Sequence, residues 1–125
     1  MATSFKELRV WQNAMELAMR VFELSKKFPP EERYSMTDQI RRSSRSVASN
    51  IAEAWRKRRY VASFTSKLTD SESEAAETQT HLELALRCGY ADAALAAELD
   101  QRFEEVLGQL HTMVADAPRW CLPPK

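Results

Sequence analysis

Residues 36–60 read MTDQIRRSSRSVASNIAEAWRKRRY. Met36, Ile40, Ser44, Val47, Ile51 and Trp55 recur at steps of three and four, the period that gathers side chains on one face of an α-helix. Ala48 and Ala52 widen this stripe, and Thr37 stands where an N-cap belongs. At ~100° per residue, Arg41, Arg42, Arg45 and Arg56 share an arc of about 100° beside the stripe. Arg58 would fall on the apolar side of a continued helix. The spacing therefore predicts that the helix frays or turns near Lys57–Tyr60.

The same period extends in both directions. Upstream, Val10, Ala14, Leu17, Val21, Leu24 and Phe28 form one stripe and Trp11, Met15, Ala18 and Phe22 a second beside it, until Phe28-Pro29-Pro30 stops the helix. Downstream, Val61, Phe64, Leu68, Ser71, Ala75, Thr78, Leu82 and Ala85 make a near-heptad series that ends at Cys88-Gly89. Asp92 caps a fourth helix, in which Leu99, Val106 and Met113 lie beside Phe103 and Leu110. Helices are expected near 6–27, 37–58, 61–88 and 92–116, with residues 1–117 as one domain and 118–125 as a C-terminal tail. With short connectors, four such helices give an all-α, antiparallel up-and-down four-helix bundle. The first helix carries a wider apolar face than one seam of a bundle needs, which implies burial against another copy of the chain.

Composition agrees with this class. The chain has 125 residues, enough to bury a core without disulfides or metal, and only two glycines, too few for a loop-rich β fold. No apolar run reaches the ~20 residues that span a bilayer, and MATSFKELRVWQ lacks the apolar core of a secretory leader, so a cytoplasmic protein is expected. Eighteen basic and eighteen acidic side chains cancel, but unevenly. Residues 37–60 hold seven cations against Asp38 and Glu53, a balance of +5; residues 68–83 hold five carboxylates and no Lys or Arg, a balance of −5. Residues 92–117 hold six carboxylates against Arg102, again −5. The molecule is polarised despite its zero net charge.

Catalytic patterns are sparse. Di-metal bundles need Glu-x-x-His pairs, yet Thr78 and Gly108 stand three residues before His81 and His111. Glu77 and His81 read as a surface pair on one helix. Cys88 and Cys121 form no metal or redox motif, and no glycine cluster could cradle a phosphate. No cofactor and no metal are expected, nor an enzymatic activity.

Arg41, Arg42, Arg45 and Arg56, continued by Lys57, Arg58 and Arg59, are the feature with a chemical handle. They could neutralise phosphates of RNA, with Trp55 or Tyr60 as a stacking surface, or they could pair with carboxylates of the third and fourth helices in the same chain or in a neighbouring subunit. Asn50, a poor helix former at the border of the stripe, is expected to fix register through a buried hydrogen bond, and Glu53 stands at ion-pair spacing before Lys57.

Phe5 and Leu8 before Val10-Trp11-Gln12 and Ala14, Phe28-Pro29 with Glu32 and Tyr34, Thr37, Gln39, Ile40 and Arg42, Ser46-Val47, Asn50-Ile51-Ala52-Glu53, and Glu77-Thr78 followed by Gly89-Tyr90 together carry a resemblance. The chain resembles the four-helix-bundle proteins of intervening sequences in bacterial large-subunit ribosomal RNA genes. Asn50, Ile51, Ala52 and Glu53 are the most specific part of the match. Ala54, Ala48 and Glu72 depart from it, standing where the family usually has glycine, often proline and commonly glycine. That family is similar to the accessory proteins of diversity-generating retroelements, five-fold barrels of bundles that bind a reverse transcriptase and nucleic acid. The resemblance implies a homopentamer, an RNA or ribonucleoprotein partner and no established enzymatic activity.

Overall fold

A computed structural model describes residues 2–123. Four long helices, α1 (Arg9–Ser25), α2 (Met36–Arg56), α3 (Val61–Arg87) and α4 (Ala93–Ala115), are followed by a single turn, α5 (Ala117–Trp120). Each long helix packs on two neighbours: α1 on α2 and α4, and α3 on α2 and α4. They occupy the corners of a square and run up and down, the expected all-α bundle.

Local chemistry sets the boundaries. Helix α1 begins later than residue 6 because Phe5–Glu7 form a separate 3-10 turn, capped by Ser4, whose hydroxyl accepts from the Lys6 N–H at 3.2 Å. The extended Leu8 then enters the core. The N-cap of α2 is Ser35 rather than Thr37, and its first N–H groups are met from outside: Glu32 accepts from the Met36 N–H at 3.3 Å and from the Ser35 hydroxyl at 2.6 Å. Tyr90 closes this latch by donating to the other Glu32 oxygen at 3.1 Å, while its ring lies 5.7 Å from that of Phe28. Helix α3 ends as read: Gly89 takes φ 79°, a left-handed value that glycine adopts without Cβ strain, and the Tyr90 N–H reaches back to the Ala85 carbonyl. Asp92 caps α4 by accepting from the Leu95 N–H at 3.1 Å.

The core is built from the expected stripes, with Leu17, Val21, Ile40, Val47, Ile51, Phe64, Leu68, Leu82, Leu99, Phe103 and Leu110 fully buried. Each such side chain stabilises the fold by roughly 1.5–3 kcal/mol. The α2–α3 seam is different in kind. Ser43, Ser71 and Thr78 are buried there, short enough to let the helices approach. The Ser71 hydroxyl donates to the Val47 carbonyl at 2.8 Å, and the hydroxyls of Ser43 and Thr78 lie 2.8 Å apart. These bonds, rather than Asn50, cross the seam.

The expected tail is not free. Residues 117–120 form α5 because Ala117 is buried against the bundle end and packs the turn on α3 and α4. The Leu122 N–H then donates to the Arg58 carbonyl at 2.9 Å. The remainder of that segment, residues 124 and 125, lies outside the described residues, as does residue 1.

Thr78→Val, which keeps side-chain volume but removes the hydroxyl, is expected to cost about 1–3 kcal/mol, because Ser43 loses its cross-seam partner in a buried site. Pairing it with Ser43→Ala should recover part of that loss. A double variant whose loss in thermal-unfolding midpoint equals the sum of the losses of the two single variants would show that the pair contributes no coupling.

The Glu32 carboxyl is held below the ordinary value near 4.5 by the Ser35 hydroxyl first, then by the Tyr90 hydroxyl and the Met36 N–H. A depressed carboxylate contributes stability that is full above its ordinary value and is lost as pH falls through the lowered one. The wild-type melting temperature should therefore exceed that of Glu32→Gln at pH 7, and the gap should close on acidification below about pH 4. A gap that does not vary with pH would contradict the latch.

Candidate nucleic-acid interface

Seven cations were expected to act together on or just after α2. The fold sorts them. Arg42 turns toward α3 and pairs with Glu74 at 2.8 Å and with Glu77. Glu77 therefore serves α2 rather than the His81 of its own helix. Arg58 turns inward as α2 stops: its Nε donates to the Trp55 carbonyl at 2.9 Å and its guanidinium lies 3.5 Å from the centre of the Trp55 ring. The break after Arg56 thus avoids placing Arg58 in the core, as its helical angle required.

Arg41 is partly engaged. Its Nε donates to the buried Ser25 hydroxyl at 2.7 Å, and its guanidinium lies 4.7 Å from the Phe22 ring centre. Arg45 lies over the same ring at 5.9 Å. Neither has a carboxylate within 4.0 Å among the described residues, and the same holds for the exposed Arg56, Lys57 and Arg59. Six of the seven cations, Arg58 on its Trp55 ring included, are without an acidic partner among the described residues.

A groove of about 530 Å³ runs along the outer face of α2 and is lined by Arg33, Arg41, Arg42 and Arg45 with Thr37, Asp38, Ser46 and Ser49. Arg33 was missed in the sequence because it stands in the connector, outside any helical stripe. Arg41 and Arg45 are one turn apart, and Arg56 lies about 22 Å further along from Arg41 at ~1.5 Å per residue. Guanidinium forks with hydroxyls between them suit phosphate oxygens, which accept bidentate N–H donation.

Asn50 is half-buried but donates to the Ser46 carbonyl at 2.9 Å, one turn back on its own helix, so the expected register bond is not made. Ile51 is core, Ala52 is half-buried, and Glu53 pairs with Lys67 of α3 at 3.5 Å instead of with Lys57. The second stripe of α1 is divided. Trp11 is half-buried and meets the Phe5 ring at 5.4 Å, Phe22 lies under Arg41, and Ala18 is buried, whereas Met15 is 41% and its neighbour Met19 56% exposed. On the far side of the bundle, Asp100, the exposed Leu84 and Glu83, which pairs with Arg87 at 2.9 Å, line an open groove of about 490 Å³ between α3 and α4.

Among the described residues, no group of three His, Cys, Asp or Glu side chains could hold a metal ion, and no helix is long and apolar enough to cross a membrane. The molecule is an up-and-down helical bundle with a basic, solvent-facing second helix. The chain belongs to the 23S rRNA-intervening sequence protein family, whose model matches residues 6–112. It is similar to a protein of unknown function of the S23 ribosomal protein family from Bacteroides thetaiotaomicron VPI-5482, whose crystal structure superposes with a TM-score of 0.76 at 30% identity over 84% of this chain and 97% of that one. No curated protein matches the chain. Neither the family nor that structure belongs to a known enzyme class.

Proposed function

We propose that this chain is a non-enzymatic, self-assembling bundle that holds RNA, free or within a ribonucleoprotein, by its phosphates along the outer face of α2. The observation that carries this reading is the set of unpartnered cations. Arg41, Arg45, Arg56, Lys57 and Arg59 have no carboxylate within 4.0 Å among the described residues of a chain with as many acids as bases. Arg42 and Arg58, satisfied inside the bundle, are assigned to structure. Arg33, which shares the groove, joins the binding set.

Assembly is proposed through the exposed Met15 and Met19 of α1, as a closed homopentamer in the cytoplasm, the number being the one that the family resemblance implies. A closed ring needs two different matching patches, and the α3–α4 groove with the exposed Leu84 and with Asp100, which has no ion-pair partner among the described residues, offers a counterpart to the α1–α2 side. The unpaired Asp100 carboxylate in that groove favours a second reading, in which the free arginines of one copy pair with carboxylates of the next and the protein is a scaffold without a nucleic-acid role.

One double substitution separates the two readings. With Arg45→Gln and Arg56→Gln, which disturb no hydrogen bond or ion pair among the described residues, RNA binding should weaken, and the slope of log affinity against log salt should fall by roughly 0.7 per contact on single strands. Sedimentation should show the oligomer intact. A variant that dissociates whether or not RNA is present would establish the scaffold reading instead.

A further inference from the structure

At the opposite end of α2 from the Arg33–Arg45 groove, a cavity of about 320 Å³ opens between the turn after α2 and the C-terminal segment, lined by Ala2, Trp55, Arg58, Asp116, Arg119 and Trp120. Two chain segments build it. The end of α2 supplies Trp55 with Arg58 stacked on its ring, and α5 supplies Arg119 and the half-buried Trp120. The bond from the Leu122 N–H to the Arg58 carbonyl pins the two walls together. The Trp55–Arg58 stack by itself is an ordinary packing device. The rest of the cavity is less ordinary.

Its charges are two guanidinium groups and one carboxylate, and none of the three lies within 4.0 Å of an opposite charge among the described residues. Burial pushes the Arg58 guanidinium down from its ordinary value, although an arginine stays protonated at neutral pH. Burial also pushes the Cys121 thiol up, so the sulfur beside Arg58 is no counter-ion there. The cavity therefore has an excess cation beside an indole and the plane of a guanidinium. Those are the groups on which unstacked bases lie in protein complexes with single-stranded nucleic acid. Its volume is at the small end of the range for small-molecule sites.

We infer that this cavity binds a nucleotide, the base stacking on Trp120 and the Arg58 plane and the phosphate accepting from Arg58 and Arg119. Asp116 accepts from a base N–H or a ribose hydroxyl and disfavours bare phosphate. The ligand is either a free nucleoside monophosphate or the 5′-phosphorylated terminal nucleotide of an RNA. The cavity shares no residue with the Arg33–Arg45 groove, although it adjoins the Arg56–Arg59 end of the proposed phosphate face.

The test titrates the full chain with adenosine 5′-monophosphate and follows tryptophan emission. Saturable quenching is expected below about 10 mM, with adenosine and inorganic phosphate each binding about tenfold more weakly. Arg119→Gln should weaken the monophosphate about tenfold or more through loss of a charge-assisted hydrogen bond, with an unchanged melting transition, because the Arg119 side chain is exposed and unpaired among the described residues. Arg33→Gln with Arg45→Gln, both in the groove at the other end of α2, should leave this titration unchanged, which separates the cavity from that groove. Competition by 5′-phosphorylated octaadenylate, and not by its unphosphorylated form, identifies an RNA end as the source; binding of the monophosphate alone identifies a free nucleotide. The inference is overturned if neither phosphorylated probe gives saturable quenching, or if Arg119→Gln binds the monophosphate as tightly as wild type.

Discussion

The close approach of α2 and α3 is the constraint on which the rest of the molecule depends. Ser43, Val47, Ser71, Ala75 and Thr78 leave room for no large side chain between the two helices, and two short hydroxyl contacts bridge them inside the core. Hydroxyls buried this deeply are costly unless paired, so the pairing penalises other registers of α3 on α2. Once the register is set, the surface follows from it. Arg42 meets Glu74 and Glu77, Glu53 meets Lys67, and the cations on the far side of α2 are carried away from the acids of α3.

That consequence explains what the sequence could and could not show. Helical stripes are local, so the four helices, the end of α3 at Gly89 and the cap at Asp92 were all legible. The break after Arg56 was legible too, because continuing the helix would have placed a guanidinium among apolar side chains. Partnership is not local. Nothing in the spacing of Arg41, Arg42 and Arg45 reveals that only Arg42 faces two carboxylates over thirty residues away in the chain. Asn50 misled for the same reason: its amide had an acceptor one turn back on its own helix, which satisfied it without crossing a seam.

Two further misreadings share a cause. The first turn of α2 is served by Glu32 from the preceding connector and not by Thr37, and the segment after Pro118 docks through Trp120, Cys121 and the Leu122 N–H instead of trailing away. In both, a connector with no periodic pattern does structural work at the end of a helix. Proline stops a helix, as Pro29-Pro30 does after Phe28. It can also sit within the first turn of a new helix, as Pro118 does in α5, where its missing N–H costs nothing.

The outcome is a molecule whose charges cancel in number but are separated in space, with the cations of one helix facing solvent along about 22 Å. The central claim, that this face holds nucleic-acid phosphates, is tested most directly by the salt dependence of RNA binding by the wild-type chain. With Arg33, Arg41, Arg45, Arg56, Lys57 and Arg59 engaged, log affinity for single-stranded RNA should fall with log salt at a slope of roughly −4. A slope near zero, or no binding at low ionic strength, would contradict the account.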